Sequence, residues 1–255
     1  MSSNRKPAVA GMFYPKEKKE LDSQISELLK NNLSNEKAQN GIIVPHAGYI
    51  YSGKTAAYAY NSFLNSLKEN QIRNLIILGP AHRAYINEIY QDENKTWETP
   101  LGRIELKKIE QVKSSSKSHT GEHSIEVQIP FVQKVLEEAK KKIAITPIIV
   151  GEITEEQARE YADILSRLEN SFFIVSTDLS HFMPKAEAEK ADYETIKKIT
   201  SKNHEDIDAC GKYPLMIAIE MAKIKNWQFK LLKYSTSAEA GGDESSVVGY
   251  ASLIF

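Results

Sequence analysis

Phe172-Phe173-Ile174-Val175-Ser176-Thr177-Asp178-Leu179-Ser180-His181 is a short apolar run that gives way within a few positions to hydroxyls, a carboxyl and an imidazole. A continuous apolar segment of roughly four to eight residues, bounded by polar positions, is the pattern of a strand buried on both faces. The pattern recurs. Gly41 to Pro45 runs into His46, Asn74 to Gly79 stops just short of His82, and Phe229 to Tyr234 is followed by Glu239. Ile143 to Val150, interrupted by Pro147, and Val247 to Ile254 read as further strands. Between them the apolar positions take helical spacing. Leu21, Ile25, Leu28, Leu29 and Leu33 mark a helix over 17–33, and residues 54–67 mark another. Ile125, Ile129, Val132, Val135 and Leu136 mark a third over 124–139, with Pro130 as a kink or restart. Thr154 with Gln157 three residues on is a capping box that opens a fourth, and 185–224 hold two or three more. Residues 85–106 alternate around Pro100-Leu101-Gly102 as a marginal hairpin, and Lys113 to Ser118 is a polar surface loop. Strands and helices alternate. The expected fold class is α/β: a three-layer α/β/α single domain over 1–255 around a mostly parallel or mixed central sheet.

Composition narrows the function. The 255 residues are 41% apolar and 26% charged, with 33 basic against 34 acidic side chains and a net charge of -1. A near-neutral chain does not suit nucleic-acid binding through a broad basic field. No apolar run approaches the ~20 residues of a membrane span, and MSSNRKPAVAGMFYP lacks the apolar stretch of a secretory signal. The expectation is a cytoplasmic protein with a small-molecule or peptide ligand and neither nucleic acid nor membrane as partner. No oligomeric state is read from the sequence. The single cysteine, Cys210, excludes an intrachain disulfide and any cysteine-only metal site.

In an open α/β sheet the carboxyl ends of the strands line the ligand crevice. Four strands thus carry His46, His82, Asp178 with His181, and an acid, Glu239, toward one edge. Two histidines and a carboxylate suit non-heme Fe(II) and also hold Zn(II) or Mn(II). Asp178 and His181, three apart, suit a proton-shuttling imidazole oriented by a carboxylate, and Asp178 reads equally as a helix N-cap. His123 and Glu126, three apart on one helical face, either converge on the pocket, with Tyr51 a further candidate, or belong to a capped helix start with solvated acids. Gly48 to Thr55 matches the P-loop pattern literally. Tyr49, Ile50 and Tyr51 are bulky where a phosphate nest wants small residues, so no nucleotide site is assigned. Cys210 reads as a small hydrophobe rather than a reactive thiol, and His119 and His204 read as surface residues.

PAVAGMFYP (7–15), VPHAGYIYSG (44–53), LGPAHR (78–83), EHSIEVQIPF (122–131), STDLSHF (176–182), CGKYP (210–214) and SSVVGYAS (245–252) together resemble the Memo family, which is similar in fold to the class III extradiol dioxygenases. The resemblance implies a mononuclear metal pocket at the strand ends. His46 and His82 match the two histidine ligands, and His181 matches the dioxygenase acid/base beside the metal. Animal Memo proteins place a cysteine ligand before the SSV element. That position aligns here with Ala240, so Glu239 is the substitute, with Asp243 and Glu244 as alternatives. The resemblance implies Fe(II), with Cu or Zn as alternatives. It points to dioxygenase-like redox chemistry on a small substrate, or to a non-catalytic module that binds a peptide or anion in the same pocket. A Zn-dependent hydrolase is the third reading.

Overall fold

The structure, a computed structural model, describes residues 4–255. Along the chain the elements are β1 (Asn4–Arg5), α1 (Lys18–Asn31), β2 (Gly41–Val44), α2 (Tyr49–Glu69), β3 (Asn74–Pro80), β4 (Ile89–Gln91), β5 (Thr96–Thr99) and β6 (Gly102–Glu105). Then come α3 (Gln128–Glu138), β7 (Ile145–Val150), α4 (Glu155–Ser166), β8 (Ser171–Ser176), β9 (His181–Met183), α5 (Lys185–Thr200), α6 (Lys212–Lys225), β10 (Lys230–Thr236) and β11 (Val247–Ile254). The main sheet runs β10-β11-β2-β8-β3-β7-β4, with β9 attached to β11. Its four central strands are parallel, while β11 and β4 join antiparallel to β2 and β7. A second small sheet has the order β1-β5-β6.

Period-two side chains sort the two faces. In β2, Ile42 and Val44 enter one core while Ile43 enters the other, and in β8 Phe172 and Ile174 oppose Phe173 and Val175 in the same way. Leu21 and Ile25 of α1, Ala56 and Tyr60 of α2 and Val132 of α3 cover the first face. Ala158 of α4, Ile196 of α5 and Ile217 of α6 cover the second. This is the α/β/α layering the alternation implied.

The chain order matters most at the middle. β8 inserts between β2 and β3, and Val44 pairs with Ser176 while Leu78 pairs with Val175. The three carboxyl ends are therefore level, and the segments carrying His46, Asp178 and His82 leave the sheet side by side.

Several local expectations change. α2 starts at Tyr49, so the P-loop-like stretch forms the first turns of a helix and not a nest of backbone N–H groups. Gly53 there serves packing, since a Cβ would sit 2.8 Å from Leu28 Cδ1 on α1. Pro130 falls in the first turn of α3, where its missing N–H has no intrahelical partner to lose, and it does not kink the helix. β7 is continuous through Pro147, which is in register with Ile77. The capping box is as read: the Gln157 N–H donates to Thr154 Oγ1 at 3.2 Å, and the Thr154 N–H donates to Gln157 Oε1 at 2.9 Å. No helix among the described residues is long and apolar enough to cross a membrane.

Candidate metal centre

His46 leaves β2 after Pro45 and is 2% exposed. Its tautomer follows from its neighbours. The Tyr60 hydroxyl donates to Gln128 Oε1 at 2.8 Å, which fixes the amide so that Nε2 donates to the Pro45 carbonyl at 2.9 Å and to Ser176 Oγ at 2.8 Å. Ser176 donates its one hydrogen to the Ser124 carbonyl at 2.6 Å. Its remaining lone pair, 2.9 Å from His46 Nδ1, can only accept. Nδ1 of His46 therefore carries the hydrogen, and Nε2 presents a lone pair. Burial first, then the nearby His82 and His123, push this imidazole well below its usual range, so it is neutral.

His82 is oriented in the same manner by Glu122. Its Nδ1 lies 3.1 Å from Glu122 Oε1, and its backbone N–H donates to Oε2 at 2.6 Å. The N–H groups of His123 and Ser124 donate to Oε1 at 2.8 and 2.9 Å. Burial alone would raise the Glu122 carboxyl, but the bonds from His82 and Ser124 outweigh it and hold the group well below the usual carboxylate range. Glu122 is an ionised buried acceptor, not the solvated acid the helix-start reading described.

His123 stacks on His82 with centroids 4.9 Å apart and lies edge-on to His46 at 5.5 Å. Two donor groups result among the described residues: His46, His82 and Cys210, and His82, Glu122 and His123, each with its ligand atoms within 4.8 Å of one another. In the second, both Glu122 oxygens are already committed to N–H donors. The first group is the one with free lone pairs.

Cys210 enters from the loop before α6. Gly211 permits it, because a Cβ there would meet Thr177 Cβ at 2.4 Å, and its N–H donates to Thr177 Oγ1 at 2.9 Å. Sγ of Cys210 thereby lies 3.2 Å from His46 Nε2 and accepts the Asp178 N–H at 3.2 Å. Burial, then the Asp178 charge, push this thiol up to about 12. Sequence reasoning missed this placement. Its one signal was the Cys-Gly pair, which permits a close approach without saying to what.

Asp178 caps no helix; loop and β9 follow it. Its Oδ1 accepts the His46 N–H at 2.8 Å, and its Oδ2 is 4.0 Å from His46 Nε2. Burial raises the carboxyl to about 7 against the pull of the His46 N–H, the nearby His82 imidazole and the Ala47 N–H. His181 is half-buried in β9 opposite Val248. Next to it, Phe182 has φ of 59° and a largely exposed ring, a conformation that bulky residues seldom adopt.

The other expected residues lie elsewhere. Glu239 stands on a 3-10 turn (Ser237–Ala240), 3.9 Å from Lys233, in a cleft with Tyr51 and Lys54, and joins neither donor group. Asp243 accepts from Ser245, and Glu244 pairs with Lys185 on the surface. Glu126 is buried but faces away from the pocket: it pairs with Arg5 at 2.7 Å and accepts the Ala8 and Val9 N–H groups and the Tyr14 hydroxyl. His119 and His204 are buried, not superficial; they bond to the Tyr90 carbonyl at 2.9 Å and to Glu220 at 2.8 Å.

The family model described as "Memo-like protein" matches residues 5–254. MEMO1 family proteins of Thermoplasma volcanium and Aquifex aeolicus are each 35% identical to the chain over 98% of its length, covering 97% and 98% of their own. One from Nitrosopumilus maritimus is 34% identical over 98% of the chain and 99% of its own length.

Proposed function

The chain belongs to the Memo family, and from that premise and the donors gathered at its strand ends we propose that it is a mononuclear metal protein with redox chemistry on a small, oxygen-bearing substrate. The observation that carries this reading is the fixed tautomer of two imidazoles. Ser176 and Glu122 hold the Nδ1 hydrogens of His46 and His82, which leaves both Nε2 lone pairs beside the Cys210 sulfur. Two nitrogens and a sulfur fit iron, copper or zinc. The sulfur takes the place expected of Glu239, and it softens the set toward copper as well as Fe(II). When bound, iron or copper supplies Lewis acidity and a redox couple.

The remaining chemistry belongs to the chain. Asp178, held near neutrality, exchanges a proton at Oδ2, on the side of His46 Nε2. His181, three residues further along the same segment, is the second proton carrier of this reading. His46 is buried, while His82 is open to solvent beside the stacked His123, whose ring packs on Phe13 at 4.7 Å, so a substrate reaches the donors from the His82 side.

Metal analysis of protein purified without oxygen, followed by oxygen uptake with catechol, tests the proposal. Stoichiometric iron or copper and uptake that stops with a chelator are expected. A His46→Ala, His82→Ala double variant that retains full metal content sinks the site. The sulfur favours one second reading, zinc-assisted hydrolysis with an open fourth position. It is separated by activity that persists without oxygen.

A further inference from the structure

Tyr250 is buried to 2% exposure, yet it belongs to neither of the two apolar clusters. It lies in β11 between Gly249 and Ala251. A Cβ at Gly249 would come within 1.9 Å of Asp192 on α5, so that face of the strand is closed by α5. Alternation sends Tyr250 to the opposite face. There its register partner Ser235 bonds to Thr55 of α2. The other buried aromatics with a polar tip have their partners: Tyr14 donates to Glu126, Tyr49 to the Val127 carbonyl, Tyr60 to Gln128, and Trp97 to Asp92. The Tyr250 hydroxyl has none among the described residues, nor is it one of the sealed polar atoms without partners, so its oxygen meets open space. This stretch of β11 is spliced to the Asp178 loop, since the Leu179 N–H donates to the Gly249 carbonyl at 2.8 Å and the Gly249 N–H to the Ser180 carbonyl at 2.9 Å, and β11 pairs with β2, the strand that runs into His46. Asp178 is the carboxyl beside His46 Nε2.

We propose that the Tyr250 hydroxyl is a ligand-binding group of the metal centre, donating a hydrogen bond to an anionic oxygen of the bound substrate, and so selecting small phenolates, enolates or carboxylates. The assignment rests on the metal-centre reading for its place beside the ligands, while the hydrogen bond itself needs only the pocket. A neutral phenol suits an anion here because it donates without bringing a charge that would compete with the metal.

The test is Tyr250→Phe in the full chain, titrated calorimetrically with catechol and with 1,2-dimethoxybenzene, in the metal-loaded protein as isolated and after chelation. Loss of a hydrogen bond to a charged oxygen weakens catechol about tenfold or more. The dimethoxy compound, metal content and melting temperature are expected to stay at the wild-type values, because the hydroxyl has no protein partner to lose. Equal catechol affinity in the variant, no catechol binding by the wild type, or a lowered melting temperature with affinity unchanged overturns the proposal. If the wild type takes up no metal, the metal-centre reading falls, and titration of the metal-free wild type and variant with benzoate, a carboxylate that is anionic without a metal, still decides the role of Tyr250.

Discussion

Ser176 has one hydrogen and two lone pairs, and Ser124, Gln128 and His46 use all three. Ser176→Ala therefore removes the acceptor that fixes His46 Nδ1–H among the described residues, while leaving the ring in place. Metal affinity is expected to fall ~10–100-fold, the range for lost orienting partners, in a competition titration with a chromophoric chelator. Unchanged affinity would mean the tautomer is set elsewhere. Cys210→Ser addresses the third donor. Cobalt(II) bound to the wild type should show a sulfur-to-metal charge-transfer band that the variant lacks, and persistence of that band excludes Cys210, since the chain has no other cysteine. Both predictions concern residues whose identity was plain in the sequence and whose role was not. The histidines at the strand ends were legible because periodicity locates strand ends. Cys210 was not, because its approach to His46 spans 164 positions and depends on a loop pressed against Thr177.

At the scale of elements, the legible part is the sheet and its helices, where burial on two faces enforces long apolar runs. What was misread lies at element ends. The start of α2 carries Tyr49, Ile50 and Tyr51, a pattern that looks like an irregular loop until the bond from the Tyr49 N–H to the Phe13 carbonyl anchors it at 2.8 Å. Glu239 was assigned from its position after a strand, and β10, antiparallel to a β11 that is itself antiparallel to β2, does end at the same edge, but β11 stands between β10 and β2 and displaces that end sideways by two strands. An acid after β10 thus has no reason to emerge beside His46. β11 has a further task, since the Leu179 N–H donates to the Gly249 carbonyl at 2.8 Å and the Gly249 N–H donates to the Ser180 carbonyl at 2.9 Å, which splices the Asp178 loop to the sheet. Gly249→Ala drives a methyl into Asp192 and should cost ~1–3 kcal/mol, as overpacking does. Urea unfolding reads that cost, and a variant as stable as wild type would show that α5 yields there.

Over the whole molecule, the strand-end pocket sits above two apolar cores, while a separate polar knot closes the amino-terminal segment. Arg5 donates to Glu126 at 2.7 Å, to the Glu122 carbonyl at 2.6 Å and to the His119 carbonyl at 3.1 Å, and its guanidinium covers Trp97 at 4.2 Å. His119 is the titrating member of this knot. Its Nε2–H donates to the Tyr90 carbonyl, its Nδ1 is buried without a partner, and burial lowers its pKa to about 4 against the pull of Asp92 and Tyr90. The charged groups around it are Asp92, Arg5 and Glu122. The two acids are held below their usual values and Arg5 stays charged, so the window is that of His119 itself. Between about 6.5, the unfolded value, and about 4, the unfolded chain binds a proton that the native chain refuses. Stability therefore rises with pH across that window and is lost on acidification. His46 and His123, lowered by burial, act in the same direction, and Asp178, raised by burial, acts against them. The share of His119 is isolated by His119→Gln, whose amide can still donate to Tyr90 but does not titrate. Urea unfolding of the metal-free proteins at pH 7 and at pH 4 should show the wild type losing ~3 kcal/mol more than the variant on acidification, at 1.36 kcal/mol per unit. Parallel profiles would mean that His119 takes up its proton without disturbing the knot, and that Arg5 and Glu126 hold the amino-terminal segment alone.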